Sequence, residues 1–174
     1  GLTKKLNSET EIVGLENALG IEGGAIITSN HYNPTDSTPI RILAEKLGKK
    51  RSLHIVVQER NIFMKGLFGF LMNNCNTHPV SSKMRYMAKN LTPSLEKILK
   101  GGSLVLIYPE QEMWYNYKKP RPLRDGTLLT APRKMPLASP ACFLVCAVRC
   151  APAPGRSDAY PRSSSVSWNA PARC

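Results

Sequence analysis

Apolar positions along the first 110 residues follow two rhythms. Residues 24–29 (GAIITS) and 53–58 (LHIVVQ) are short, β-branched apolar runs, the composition of buried strands. Between them, residues 37–47 carry Ile40, Leu43, Ala44 and Leu47 at helical spacing, which predicts an amphipathic helix. Residues 61–73 (NIFMKGLFGFLMN) are apolar and broken by glycine, predicting a helix packed on the sheet, and residues 77–81 form a brief extended piece. A helical stretch over 83–100 is expected to be interrupted near Pro93 and to stop at Gly101-Gly102. Residues 103–108 (SLVLIY) are the clearest strand. Strands separated by helices of this length predict an α/β domain with a largely parallel central sheet flanked by helices.

The texture changes near residue 135. Upstream lie 20 of the 24 basic residues and 11 of the 12 acids, whereas residues 135–174 hold no lysine, one acid (Asp158), four arginines and six prolines. Stretches such as 151–156 (APAPGR) and 162–165 (RSSS) are low-complexity sequence that buries too little apolar surface to offset the entropy of ordering. The chain is therefore divided into a folded domain over 1–140, expected to lack some of its C-terminal part, and a tail over 141–174 expected to be disordered or translated out of frame. Gly1-Leu2-Thr3, with no initiating methionine, points to an incomplete start.

Net charge narrows the partners. An excess of +12 favours anionic ones: coenzyme phosphates, an acidic carrier protein, an anionic lipid surface or nucleic acid. Nucleic acid is the weakest of these, because the six tyrosines and four phenylalanines are not interleaved with cations in a stacking pattern. The five cysteines are odd in number and never spaced C-x-x-C, which argues against a disulfide framework and against a zinc site; no metal ligands are assigned. No apolar run approaches the roughly 20 residues of a membrane span, and no signal-peptide pattern is present, so the chain is placed in the cytoplasm and at most peripheral to a membrane.

The segment 29–36 (SNHYNPTD) concentrates the candidate chemistry. On a continuous helix His31 and Asp36 would lie about 140° apart and could not meet. Pro34 predicts a turn between them, letting Asp36 fold back toward His31 at the start of the next helix. A neutral imidazole oriented by a carboxylate can take the proton of an attacking alcohol, so acyl transfer needs no serine or cysteine nucleophile. The same residues also suit a loop histidine that caps the following helix.

Strand 103–108 runs into Pro109-Glu110, and there the chain resembles the glycerolipid acyltransferase superfamily, in which N-H-x-x-x-x-D is followed some distance on by a strand ending in P-E-G-T-R. Asn30-His31 with Asp36, and Pro109-Glu110, stand in the matching order and context. The resemblance covers about residues 20–140. It implies that His31 is the general base and Asp36 its orienting carboxylate, with Asn30, Pro109 and Glu110 at the acceptor site. Two departures concern phosphate binding. Pro79-Val80-Ser81 stands where the family has an arginine-bearing segment, leaving Lys83 or Arg85 to supply charge, and Gln111-Glu112-Met113 replaces the glycine, threonine and arginine of P-E-G-T-R. Lys118, Lys119, Arg121 and Arg124, stiffened by Pro120 and Pro122, are substitute cations, although a solvated basic loop fits them equally.

The resemblance thus implies an enzyme that moves a fatty acyl group from acyl-CoA or acyl-carrier protein to a lysophospholipid or glycerol phosphate in phospholipid biosynthesis. It would work at the inner face of the membrane with no bound cofactor; the apolar stretch Ile62 to Met72 is expected to be core, with lining of the acyl channel or contact with lipid as the alternative. The competing reading keeps this fold but regards the chain as a truncated, inactive form.

Overall fold

The computed structural model describes residues 10–31, 33–34, 36–48, 51–113, 115, 142–148 and 164–168. Four of its strands run parallel side by side, in the order β2-β5-β3-β4: β2 (Ala25–Ser29), β3 (Leu53–Gln58), β4 (Thr77–Val80) and β5 (Leu104–Ile107). With β1 (Thr10–Ile12), β6 (Cys142–Val148) and β7 (Ser164–Trp168) they make one sheet in the order β1-β7-β6-β2-β5-β3-β4. Only the β6–β7 pair is antiparallel. The expected α/β architecture with a largely parallel sheet is therefore present.

Strand β5 lies between β2 and β3, and all four of its residues are buried, as a doubly covered parallel strand requires. Its alternating side chains feed two cores. On one face Leu104 and Leu106 join Ala25, Ile27, Leu53 and Ile55 beneath α2 (Ser37–Leu47), which contributes Ile40, Leu43 and Ala44. The periodicity of 37–47 and the helix coincide to the residue. On the other face Val105 and Ile107 pack with Ile26, Val56 and Leu91 against Leu95 and Leu99 of α6 (Thr92–Lys100). Gly24 stands where α6 ends close to the sheet; any Cβ there would collide with the Leu99 carbonyl. The remaining helix near the N-terminus is the short α1 (Glu16–Leu19).

Three details differ from expectation. Pro93 does not interrupt its helix. The turn before it, Met87–Leu91, is wound as a π-helix between α5 (Met84–Tyr86) and α6, and the helical path continues. A widened turn accommodates a residue that has no amide to donate to the preceding turn. Residues 61–73 form two helices rather than one, α3 (Glu59–Ile62) and α4 (Gly66–Asn74), parted where Gly66 takes φ 80°. Their bulky side chains Phe63, Met64, Leu67 and Phe70 are exposed, so the packed-core expectation does not hold for them. Finally, 142–148 (CFLVCAV) and 164–168 (SSVSW), both inside the segment expected to be a disordered tail, are strands of the sheet; both are uncharged, and the first is apolar throughout, which lets it pair beside the buried β2. The rest of that segment lies outside the described residues.

Candidate active site

Because β2, β5, β3 and β4 are parallel, the residues that follow them gather at one edge of the sheet, the edge where open α/β sheets seat their ligands. Asn30 and His31 leave β2 there, and Tyr108, Pro109 and Glu110 leave β5. Neighbouring strands lie about 4.8 Å apart, so segments nearly 80 residues distant in sequence become lateral neighbours. The His31 and Tyr108 rings stack, with centroids 4.3 Å apart and planes inclined by 23°.

Within the turn, His31 Nδ1 lies 3.1 Å from Asp36 Oδ2. A carboxylate only accepts, so Nδ1 carries the hydrogen and Nε2 keeps its lone pair. The Asn33 amide donates to the same oxygen at 2.9 Å, and the Asp36 amide donates to the Asn33 carbonyl at 3.1 Å, closing the turn around Pro34. The Asp36 side chain is fully buried, whereas His31 is 27% exposed. Asp36 occupies the position before α2, yet its side chain makes no capping bond to that helix. Its Oδ2 instead serves the histidine and the turn.

The turn after β5 is the other wall. The Gln111 amide donates to the Tyr108 carbonyl at 3.1 Å, and Gln58, the last residue of β3, donates its side-chain amide to the Gln111 carbonyl at 2.6 Å. Glu110 is buried at this turn. Gln111 has φ 60°, the left-handed region that glycine enters without strain, and it stands where the resembled motif has glycine. The chain keeps the backbone shape of that turn while losing the residue that adopts it most easily.

Lys83 and Arg85 are exposed at and beyond the end of β4. Three strand spacings separate β4 from β2, roughly 14 Å, so these cations share the edge with His31 without lying beside it. Lys118, Lys119, Arg121 and Arg124 lie outside the described residues. Among the described residues no group of three or more histidines, cysteines or acids is arranged to hold a metal ion.

Two features escaped sequence reasoning. Tyr108 was legible only as the last residue of a strand; its stacking on His31 depends on β5 lying beside β2. Gln58 likewise reads as a strand residue, and its role as a strut under the Gln111 turn follows from β3 flanking β5 on the other side.

A family model described as Acyltransferase matches residues 9–138, a span that includes both the 30–36 turn and the 108–113 turn. No curated protein and no solved structure matches the chain.

Proposed function

The chain belongs to the acyltransferase family, and from that premise we propose that it transfers a fatty acyl group from acyl-CoA or acyl-carrier protein to the free hydroxyl of a lysophospholipid or glycerol phosphate. The observation that carries this reading is the hydrogen bond from His31 Nδ1 to the buried Asp36 carboxylate, which leaves Nε2 as a base at the ligand edge of the sheet.

The reaction needs little else from the protein. Nε2 takes the acceptor's hydroxyl proton as the oxygen bonds to the thioester carbonyl carbon. The tetrahedral intermediate collapses with cleavage of the carbon–sulfur bond, and the imidazolium returns its proton to the departing thiolate. Asp36 stabilises the imidazolium between these steps and prevents the ring from flipping, while the Tyr108 face limits its tilt. Asn30, which leaves β2 beside His31, and Pro109 and Glu110, which leave the neighbouring β5, are assigned to the acceptor. Its phosphate would be met by Lys83 or Arg85, or by Lys118, Lys119, Arg121 and Arg124. Such an acceptor places the enzyme at the cytoplasmic face of a membrane; among the described residues no helix is long and apolar enough to cross one.

The test is transfer from labelled acyl-CoA and acyl-carrier protein to a panel of lysophospholipids and glycerol phosphate, run beside His31→Ala. Transfer that the substitution abolishes is the expected result. A folded chain inert toward every acceptor with both donors would overturn the reaction and favour the truncated, inactive reading.

A further inference from the structure

The exposed apolar side chains of this protein are not scattered. Phe63 is 75% exposed, Leu67 74% and Phe70 63%, with Met64 beside them. All four belong to the α3–α4 segment, which begins where β3 reaches the ligand edge. Met84 follows β4 at that edge, and Met113 and Tyr115 follow β5. Among the described residues only two other large apolar side chains are so exposed, Val13 and Leu19, both in the connection from β1 to β2.

The display is built rather than accidental. Asn73 of α4 donates through its side-chain amide to the Ile62 carbonyl at 2.9 Å and to the Gly69 carbonyl at 2.8 Å, tying α3 to α4. Gly69 lets the Met64 carbonyl sit directly against α4, where any Cβ would collide with it. These contacts tie the backbone at 62–64 to α4, and Phe63, Met64, Leu67 and Phe70 are all exposed there. Cations are threaded through the same edge: Arg60 and Lys65 are exposed within the segment, Lys83 and Arg85 follow β4, and the exposed acids there are Glu59 and Glu112.

We infer that this edge seats on the surface of a bilayer containing anionic phospholipid, with Phe63, Leu67 and Phe70 entering the headgroup–acyl boundary and Arg60 and Lys65 meeting lipid phosphates. Bulky apolar groups flanked by long-stemmed cations match that boundary chemically, since the stems reach up to the phosphates as the rings descend. The chain's net charge of +12 adds attraction to an anionic leaflet. This seating turns the opening before His31 toward the lipid, so an acceptor can be drawn from the bilayer with its acyl chain still in lipid. The inference rests on the proposed reaction for its purpose and on the exposed side chains for its location.

The test is flotation with vesicles of phosphatidylcholine alone and of phosphatidylcholine mixed with phosphatidylglycerol. The wild-type protein is expected to float with the mixed vesicles and more weakly with the neutral ones. The triple variant Phe63→Ser, Leu67→Ser, Phe70→Ser should lose partitioning on the order of a hundredfold with an unchanged melting midpoint, because all three side chains are already in water. Arg60→Glu with Lys65→Glu should remove the preference for mixed vesicles, about tenfold. As a readout in an otherwise intact protein, Phe63→Trp emission, taken as the difference from wild type, should shift to the blue when mixed vesicles are added.

Wild-type protein that ignores both vesicles, a triple variant that floats as wild type does, or an unshifted Phe63→Trp spectrum overturns the inference. So does a wild-type dimer in sedimentation that the triple variant converts to monomer, since a second copy would then cover this face. Transfer to a short-chain, water-soluble acceptor separates the two readings. Patch-dependent flotation by a protein inert with both donors toward every acceptor of the panel, the water-soluble one included, refutes the reaction and supports the docking surface.

Discussion

Two histidine pairs sit at opposite edges of the same sheet, and they are chemical opposites. At the ligand edge His31 faces Asp36, an anion buried in its own turn. Near the other edge His54 of β3 faces His78 of β4, Nδ1 to Nε2 at 3.0 Å, and Ser52 links His54 Nε2 to Ser103 through contacts of 3.2 and 3.0 Å. Partial burial lowers the affinity of both His54 and His78 for protons below the ordinary imidazole range, and for His78 a charge on His54 adds to the effect. A carboxylate partner favours the imidazolium that acyl transfer must form in passing; an imidazole partner opposes it. The partner, not the histidine, distinguishes a base from a structural strut.

The largest effect that tests this contrast is at His31. His31→Ala should lower the rate of transfer about 10³-fold or more, whereas His54→Gln and His78→Gln should leave it within about twofold, measured as initial rates at saturating donor. Equal losses at both edges would erase the distinction. Asp36→Asn should come next, at about 10²-fold. A carboxamide carries no charge to stabilise the imidazolium, and with its NH2 turned toward His31 Nδ1 it would hold the wrong ring tautomer. A loss confined to KM would instead place Asp36 in substrate binding.

The opposite pair is tested through stability. Histidines whose folded proton affinity is lowered hold fewer protons in the native than in the unfolded chain as the pH falls through 6.5, so acidification destabilises the fold over the window from there down to their lowered folded values. The melting midpoint should therefore drop on acidification in the wild-type protein and drop less in His78→Gln. Identical slopes would show that the pair contributes nothing. The smallest effect belongs to the turn beside His31. Gln111→Gly relieves a left-handed residue but frees the unfolded chain, a net stabilisation of about 0.5–1 kcal/mol by urea denaturation, and any destabilisation would mean that the Gln111 side chain contributes more than its backbone strain costs.

How much of this was legible depended on the range over which each signal acts. The span of α2, the strands β3 and β5, and the closure of the 31–36 turn are local: helical periodicity, β-branched runs and one proline act over a few residues, and the structure follows them closely. The face of α4 was not legible. Its sequence is apolar all round, so composition predicts burial without saying that neighbouring elements leave Leu67 and Phe70 uncovered. Strands 142–148 and 164–168 were hidden for the converse reason, being short pairing segments among flanks that share none of their character.

The sequence by itself determined β2, α2, β3 and β5, the α/β class, the carboxylate that orients His31 and the family to which the chain belongs, because each of these is encoded in neighbouring residues or in motif order. Only the tertiary structure decided that β5 lies between β2 and β3. That choice lays Tyr108 against His31, props Gln111 on Gln58 and gathers the exposed apolar side chains at the ligand edge, and it is made by burial shared across the whole sheet rather than by any segment's own preference.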